Sequence, residues 1–273
     1  MAGDRLAERG AAGILYISTQ PGLFFAPVAM LIYVPAEQYA AVLDAVAGEA
    51  LAEARLERPP VDAFAVARTL GITVAEDVHQ SSRGRYVRLR VKGRRPRPTI
   101  LLRPDPRRER RHWALAHEIG EHLAHRVYRL LDLEPGETRA GSREAVANQL
   151  AGRLLVPTVW YREDALEFDW NLTRLKKRYA TASHELLARR MLDLPPPVIV
   201  TIVDDGQLYF RRSNVPGRVP PLTATEKTCR RDAHRQGRTV AARCGAARVQ
   251  AWPIHEPGWK REILRTEVDL VPW

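Results

Sequence analysis

Cysteine is nearly missing from this chain, with only Cys229 and Cys244 in 273 residues. Two thiols without a CxxC spacing exclude a disulfide-stapled secreted scaffold. Joined to His234 or His255 they would make an unconventional metal site, and two small buried thiols is the simpler reading. Long apolar runs are missing as well. Residues 10–36 carry no charge and follow Arg5 and Arg9, but Ser18-Thr19-Gln20-Pro21-Gly22 breaks them. The strongly apolar remainder, Leu23 to Val34, is too short to cross about 30 Å of hydrocarbon. No membrane role is expected, and Met30 is an alternative start that would leave 1–29 outside the protein. Lysine is scarce too, 5 against 38 arginines, so the net charge of +11 reads as compositional drift toward arginine rather than a nucleic-acid footprint. The densest basic stretch, Arg103 to Arg111, has no interleaved aromatics on which bases could stack. No internal repeat or low-complexity tract is evident.

What is present is a near-miss of a metal signature. His117-Glu118-Ile119-Gly120-Glu121-His122 resembles the zinc-peptidase helix motif HExxH, with the second histidine one residue late. In that motif two histidines one turn apart face one ion, and the glutamate between them serves as general base. At roughly 100° per residue, Glu121 lies about 40° around the helix from His117, and His122 about 140°. A regular helix therefore presents His117 and Glu121, with His122 an alternative ligand only if a π-bulge resets the register. His125, roughly 12 Å along the axis, is too far to share an ion with His117. A helix with several His and Glu residues is also compatible with a plain solvated face.

Downstream, Glu144 to Pro157 (EAVANQLAGRLLVP) carries apolar residues at 146, 147, 150, 151, 154 and 155, a helical spacing that Pro157 ends. Glu144 is expected in the first turn, where a carboxylate is favoured. This order resembles the ImmA/IrrE family of metallo-endopeptidases, whose active helix has the form (T/A)LAHE(L/I)GH and is followed by ExxxANxFAxxLLMP. Glu144 stands four residues before Asn148 and Pro157 nine after it, as in that pattern. Pro60 to Val74 resembles the family's opening helix and strand, and Ser82 to Val91 and Pro98 to Arg103 its two strands before the active helix. The resemblance covers roughly residues 50–195.

The resemblance implies a metal-dependent endopeptidase with Glu118 as catalytic base and Glu144 as third ligand beside His117 and Glu121. One nitrogen and two carboxylates make a harder, more anionic set than two histidines and a glutamate. Zinc is expected, with manganese or iron(II) better tolerated. His125, Tyr128 and Tyr161 are candidate transition-state or substrate contacts, and the strand around Ile100-Leu101-Leu102 is a candidate edge for an extended peptide. The implied substrate is a cytoplasmic helix-turn-helix repressor cleaved in a stress or mobile-element response. A catalytically weak member acting as a DNA- or protein-binding regulator is the alternative.

The expected fold is α+β. Residues 1–48 form an N-terminal extension, with an Ala-rich helix over 37–56. Residues 49–165 form a zincin-like core with a small mixed sheet and active-site helices. Residues 166–195 form a helix-turn-helix-like connector, with Ser183 capping its second helix. Its Arg174, Lys176, Lys177, Arg178, Arg189 and Arg190 would suit DNA, but packing beside the cleft is favoured. After the stiff Pro195-Pro196-Pro197, residues 196–273 form a small β-rich module. It holds a hairpin at 198–203 and 208–210, a helix over 224–236, and strands at 247–253 and 261–268.

Overall fold

The computed structural model describes residues 34–89, 96–133, 140–245 and 247–268. The uncharged stretch before Val34, Met30 included, lies outside them. Helix α1 (Ala36–Glu53) leads to α2 (Ala63–Thr69) and to strands β1 (Thr73–Glu76), β2 (Gly84–Leu89) and β3 (Arg97–Leu102). Then come α3 (Arg108–Leu130), α4 (Ala140–Leu155), α5 (Thr158–Glu167), α6 (Leu172–Arg178) and α7 (His184–Arg190). The last part holds β4 (Val198–Asp204), β5 (Gln207–Ser213), α8 (Ala224–Gln236), β6 (Val240–Cys244), β7 (Ala247–Glu256) and β8 (Trp259–Glu267). The architecture is α+β, and no described helix is long and apolar enough to cross a membrane.

Local chemistry sets many of these boundaries. Asp62 caps α2 by accepting from Phe64 N at 3.0 Å, and Ser183 caps α7 by accepting from Leu186 N at 3.1 Å. Thr223 and Glu226 form a reciprocal capping box at the start of α8, and Gly237 ends that helix in a left-handed conformation. Pro157 ends α4 as expected and starts α5.

The first sheet has the order β1-β3-β2, with β1 parallel and β2 antiparallel to β3. The strand carrying Ile100, Leu101 and Leu102 is therefore central, with both edges paired, and cannot accept a peptide. The free edge near α3 belongs to β2. Sequence alternation finds strands without ordering them, so the expected edge was misassigned. A second correction concerns α4, which begins at Ala140. That places Glu144 in the second turn, because Gly141 and Ser142 interrupt the apolar pattern without stopping the helix. Two elements were not foreseen. Helix α5 buries only Tyr161, Asp164 and Ala165, which leaves little periodicity to read, and β6 is a short edge strand.

The second sheet is antiparallel with the order β5-β4-β8-β7-β6. Alternation puts Val200, Ile202, Trp252 and Ile263 on the face that joins the main core. The opposite face presents Val249, Ala251 and Leu264 to Cys229 and Ala233 of α8. Cys229 is buried as expected.

Helices α3 and α4 pack closely. Leu115, Ile119, Leu123 and Val127 on α3, and Val146, Leu150 and Leu154 on α4, are fully or almost fully buried. Gly120 sits where they meet closely, and an added Cβ would lie 2.5 Å from the Ala147 carbonyl oxygen. Gly120→Ala should lower stability by about 1–3 kcal/mol in urea unfolding, because backbone rather than a flexible side chain blocks the methyl. Gly48→Ala, in α1 with nothing within 4 Å, should instead be neutral or stabilise by up to about 1 kcal/mol. Equal effects at both positions would refute the close-contact account.

His112, also on α3, is a core residue whose Nδ1 accepts from Ala63 N at 3.3 Å. Burial, opposed by Asp62, pulls its pKa down to about 4. The folded chain then refuses a proton that the unfolded chain accepts below about pH 6.5. Stability should fall as pH drops from 6.5 toward 4, by up to roughly 3 kcal/mol from this residue. His112→Gln should flatten that part of a chemical-denaturation pH profile, and an unchanged slope would contradict the assignment.

Candidate functional site

The α3–α4 crossing brings two pairs of side chains together, each pair one helical turn apart. His117 and Glu121 come from α3, and Glu144 and Asn148 from α4. Ligand atoms of His117, Glu121 and Glu144 all lie within 4.8 Å of one another. His117 Nε2 is 3.5 Å from Glu144 Oε2, close to the roughly 3.4 Å that separates two ligands of a four-coordinate ion with bonds near 2.1 Å.

Asn148 ties two of these groups together. His117 Nδ1–H donates to Asn148 Oδ1 at 3.0 Å, and Asn148 Nδ2 donates to Glu144 Oε1 at 3.1 Å. That leaves His117 Nε2 and Glu144 Oε2 facing each other. An outer partner that fixes a histidine's tautomer and ring angle is what a metal-ligating imidazole needs. Sequence reading used Asn148 as a spacing marker and missed this role.

The charges are mutually dependent. Burial pulls the His117 pKa down, but hydrogen bonding and attraction from Glu144 outweigh it, and the net shift is upward. The hydrogen bond from His117, opposed by partial burial, holds the Glu144 carboxyl below the usual range. Glu121 is drawn to Arg143, whose Nε is 2.8 Å from Glu121 Oε2 and whose terminal nitrogen reaches the Glu121 carbonyl. The site is therefore less anionic than its ligands alone suggest. Arg143 was not singled out in the sequence, where it is one arginine among many.

Glu118 is almost buried and lies against β2. A Cβ on Gly84 would come within 2.8 Å of Glu118 Cγ and Oε1, so a larger residue there would push the Glu118 side chain from its place. Burial raises the Glu118 pKa, and nearby Glu121 and Glu144 push the same way, against His117 and the Tyr86 backbone hydrogen bond. His122 turns aside, its Nδ1 3.1 Å from the Tyr86 hydroxyl.

Two expected contact residues, Tyr161 and Tyr128, are corrected. Tyr161 is fully buried and donates to the Leu187 carbonyl at 2.6 Å, pinning α5 to α7. Tyr128 is buried in the core. His125 is exposed, with Nδ1 2.8 Å from the His122 carbonyl of its own helix. Aromatic and histidine side chains near a motif cannot be sorted into core and cleft by spacing alone. Tyr86 and Gly84 are the β2 residues that do border the site.

Much of the basic surface is already paired. Arg190 is buried against the Val156 carbonyl, Thr158 and Asp193, and Arg189 lies 3.9 Å over the Phe210 ring. Neither is placed to contact DNA. Arg107, Arg110 and Arg111 pair with Glu256, Asp105 and Glu76.

Residues 67–192 match the family model described as the IrrE N-terminal-like domain, Peptidase_M78. Among solved structures, the chain is similar to a Mycobacterium tuberculosis transcriptional regulator, with 16% identity and a TM-score of 0.59. That likeness covers 86% of this chain and 81% of the regulator, and shows a shared fold. No curated protein matches.

If the cluster binds a divalent ion, the ion must displace the proton that Glu144 favours on His117. Uptake of zinc or cobalt should release protons and weaken as pH falls below neutrality. Asn148→Ala should reduce affinity by roughly 10–100-fold in competition titrations, and His117→Ala by more. Unchanged uptake in both variants would dissociate these residues from any bound metal.

Proposed function

Because residues 67–192 form a domain of the ImmA/IrrE family, we propose that the protein is a metal-dependent endopeptidase with a zincin-like core. His117, Glu121 and Glu144 would hold the ion, and Glu118 would carry the proton. The observation that carries this reading is the convergence of those three ligand side chains beside a buried glutamate under the free edge of β2. Zinc, or manganese or iron(II) with this oxygen-rich set, would supply the Lewis acidity that makes a water nucleophilic and polarises the scissile carbonyl.

The chain's own residues would do the rest. Glu118, with a raised affinity for a proton, is suited to accept one from the attacking water and return it to the leaving amine. Edge strand β2 would align an extended peptide by backbone pairing. The helix-turn-helix-like connector, α6 and α7, would support the cleft rather than read DNA. By family resemblance the substrate is a cytoplasmic helix-turn-helix repressor, cleaved in a stress or mobile-element response. A second reading, a catalytically weak regulator, draws on the grip of Arg143 on Glu121.

The test is to incubate the purified chain and a candidate repressor with several divalent metals. Cleavage should stop with a chelator, and Glu118→Gln should reduce it by about 10²–10⁴-fold while metal content stays unchanged. A stable complex with metal bound but no cleavage would favour the regulator. Salt-sensitive duplex binding that survives Glu118→Gln would favour a DNA-binding role.

A further inference from the structure

The second sheet holds another convergence of ligand side chains. Glu262 lies on the central strand β8, on the face covered by α8, and is 1% exposed. Two imidazoles meet on one of its oxygens. His234, in the last turn of α8, places Nδ1 2.8 Å from Glu262 Oε1, and His255, near the end of β7, places Nε2 2.9 Å from the same atom. The rings stand 5.2 Å apart, tilted at 65°. Helix, strand and neighbouring strand each contribute one group. The register explains the last two: His255 pairs with Lys260, so it is diagonal to Glu262 on the same face.

Other carboxylates packed into the same module are held differently, which makes the trio unusual. Glu226, at the opposite end of α8, is also buried, and takes a two-point contact from Arg211 plus Thr266 and the Thr223 N–H. Asp204 takes Arg261 in the same forked manner. Arginine is the habitual partner in a chain with 38 of them. Yet among the described residues no arginine or lysine pairs with Glu262.

We propose that His234, His255 and Glu262 form a second divalent-cation site, of the zinc class, separate from the α3–α4 cluster. Two imidazole nitrogens and a carboxylate oxygen are a usual zinc set. All three ligand atoms lie within 4.8 Å of one another, and one cation would take the place of the two N–H protons now directed at Oε1. Ligands of a four-coordinate ion stand about 3.4 Å apart, so each contact must open by roughly half an ångström. His234 and His255 are 45% and 24% exposed, which leaves room for that motion and a solvent-facing fourth position. The bound ion would clamp the C-terminal end of α8 to β7 and β8.

The experiment uses the full chain carrying His117→Ala, which removes the other candidate cluster. Zinc and cobalt(II) are titrated in, and stoichiometry, cobalt absorption and thermal unfolding are followed. One equivalent should bind, with intense visible bands of a tetrahedral cobalt site. Zinc at 100-fold above its Kd should raise Tm by roughly 5–10 °C. Adding His255→Gln, which keeps a donor for Glu262 and so preserves the fold, should weaken binding more than 10–100-fold and remove the bands. His234→Asn should do the same. No uptake in the His117→Ala chain, or uptake indifferent to both histidine variants, overturns the proposal and leaves a hydrogen-bonded trio. The wild type should bind two equivalents if both clusters take metal. A loss confined to His117→Ala would speak against this site alone and leave the endopeptidase reading standing.

Discussion

A missing methyl group governs the geometry of the candidate centre. Gly120 lets α3 press against the Ala147 backbone, where any larger residue would collide with a carbonyl oxygen. His117 and Glu121 lie three residues before and one after Gly120. Glu144 and Asn148 bear the same relation to Ala147. Those offsets place all four side chains on the helix faces that turn toward each other at the contact. The separation of the ligand pairs is thus fixed by a backbone approach between rigid helices rather than by flexible side chains. Leu115, Ile119, Leu123, Val146, Leu150 and Leu154 hold the crossing from its buried side. A contact between whole helices can be neither lengthened nor rotated without disturbing that packing.

The departure from a two-histidine motif looks different once Arg143 is counted. Two neutral histidines and one carboxylate carry a formal charge of −1. One histidine, two carboxylates and an arginine carry the same. Arg143 thus offsets what Glu121 adds, and it stands beside Glu144 on the helix that supplies the third ligand. The offset is incomplete, since the Arg143 side chain is half exposed and solvent screens it. It also has a consequence for coordination. Arg143 occupies Oε2 of Glu121, so an ion would draw on the other oxygen.

Much of this was legible in the chain, because the elements concerned are periodic and capped. The helices α3 and α4, the cap at Ser183, and the shared face of His117 and Glu121 follow from spacings of three and four and from a short polar side chain at a helix start, whereas Glu144 was reached only through the family resemblance. The sideways His122 follows from angle alone. What escaped depended on tertiary neighbours. Strand order decided that β2 and not β3 is the free edge, and pairing partners are invisible in a single alternating pattern. Tyr161 carries the same phenol whether it lines a cleft or bonds Leu187 O in the core. Gly84 and Gly120 looked like ordinary glycines, since what a Cβ would meet at each is an atom from a distant element. His234 and His255 were considered only as partners for cysteines, because Glu262, the residue that unites them, is an unremarkable position in a strand.

The two candidate centres are joined by packing more than by charge. The Arg107–Glu256 pair links the start of α3 to the end of β7, next to His255, but both side chains are about 40% exposed, and such pairs contribute little. The stronger connection runs through the sheet itself. Trp252 and Ile263 sit on the core-facing side of β7 and β8, opposite the face that carries His255 and Glu262. Arg261, next to Glu262, is held by Asp204 and by Glu185 of α7, and Arg189 of that helix rests on Phe210. Alternation along β8 thus sends adjacent residues to two tasks: Glu262 toward α8 and its histidines, Arg261 toward the helices that follow the first centre. An ion at the outer face would therefore act by stiffening a sheet whose inner face is already part of the main core. Its effect on the α3–α4 crossing would be one of stability rather than of directed movement, because the connection runs through shared core packing.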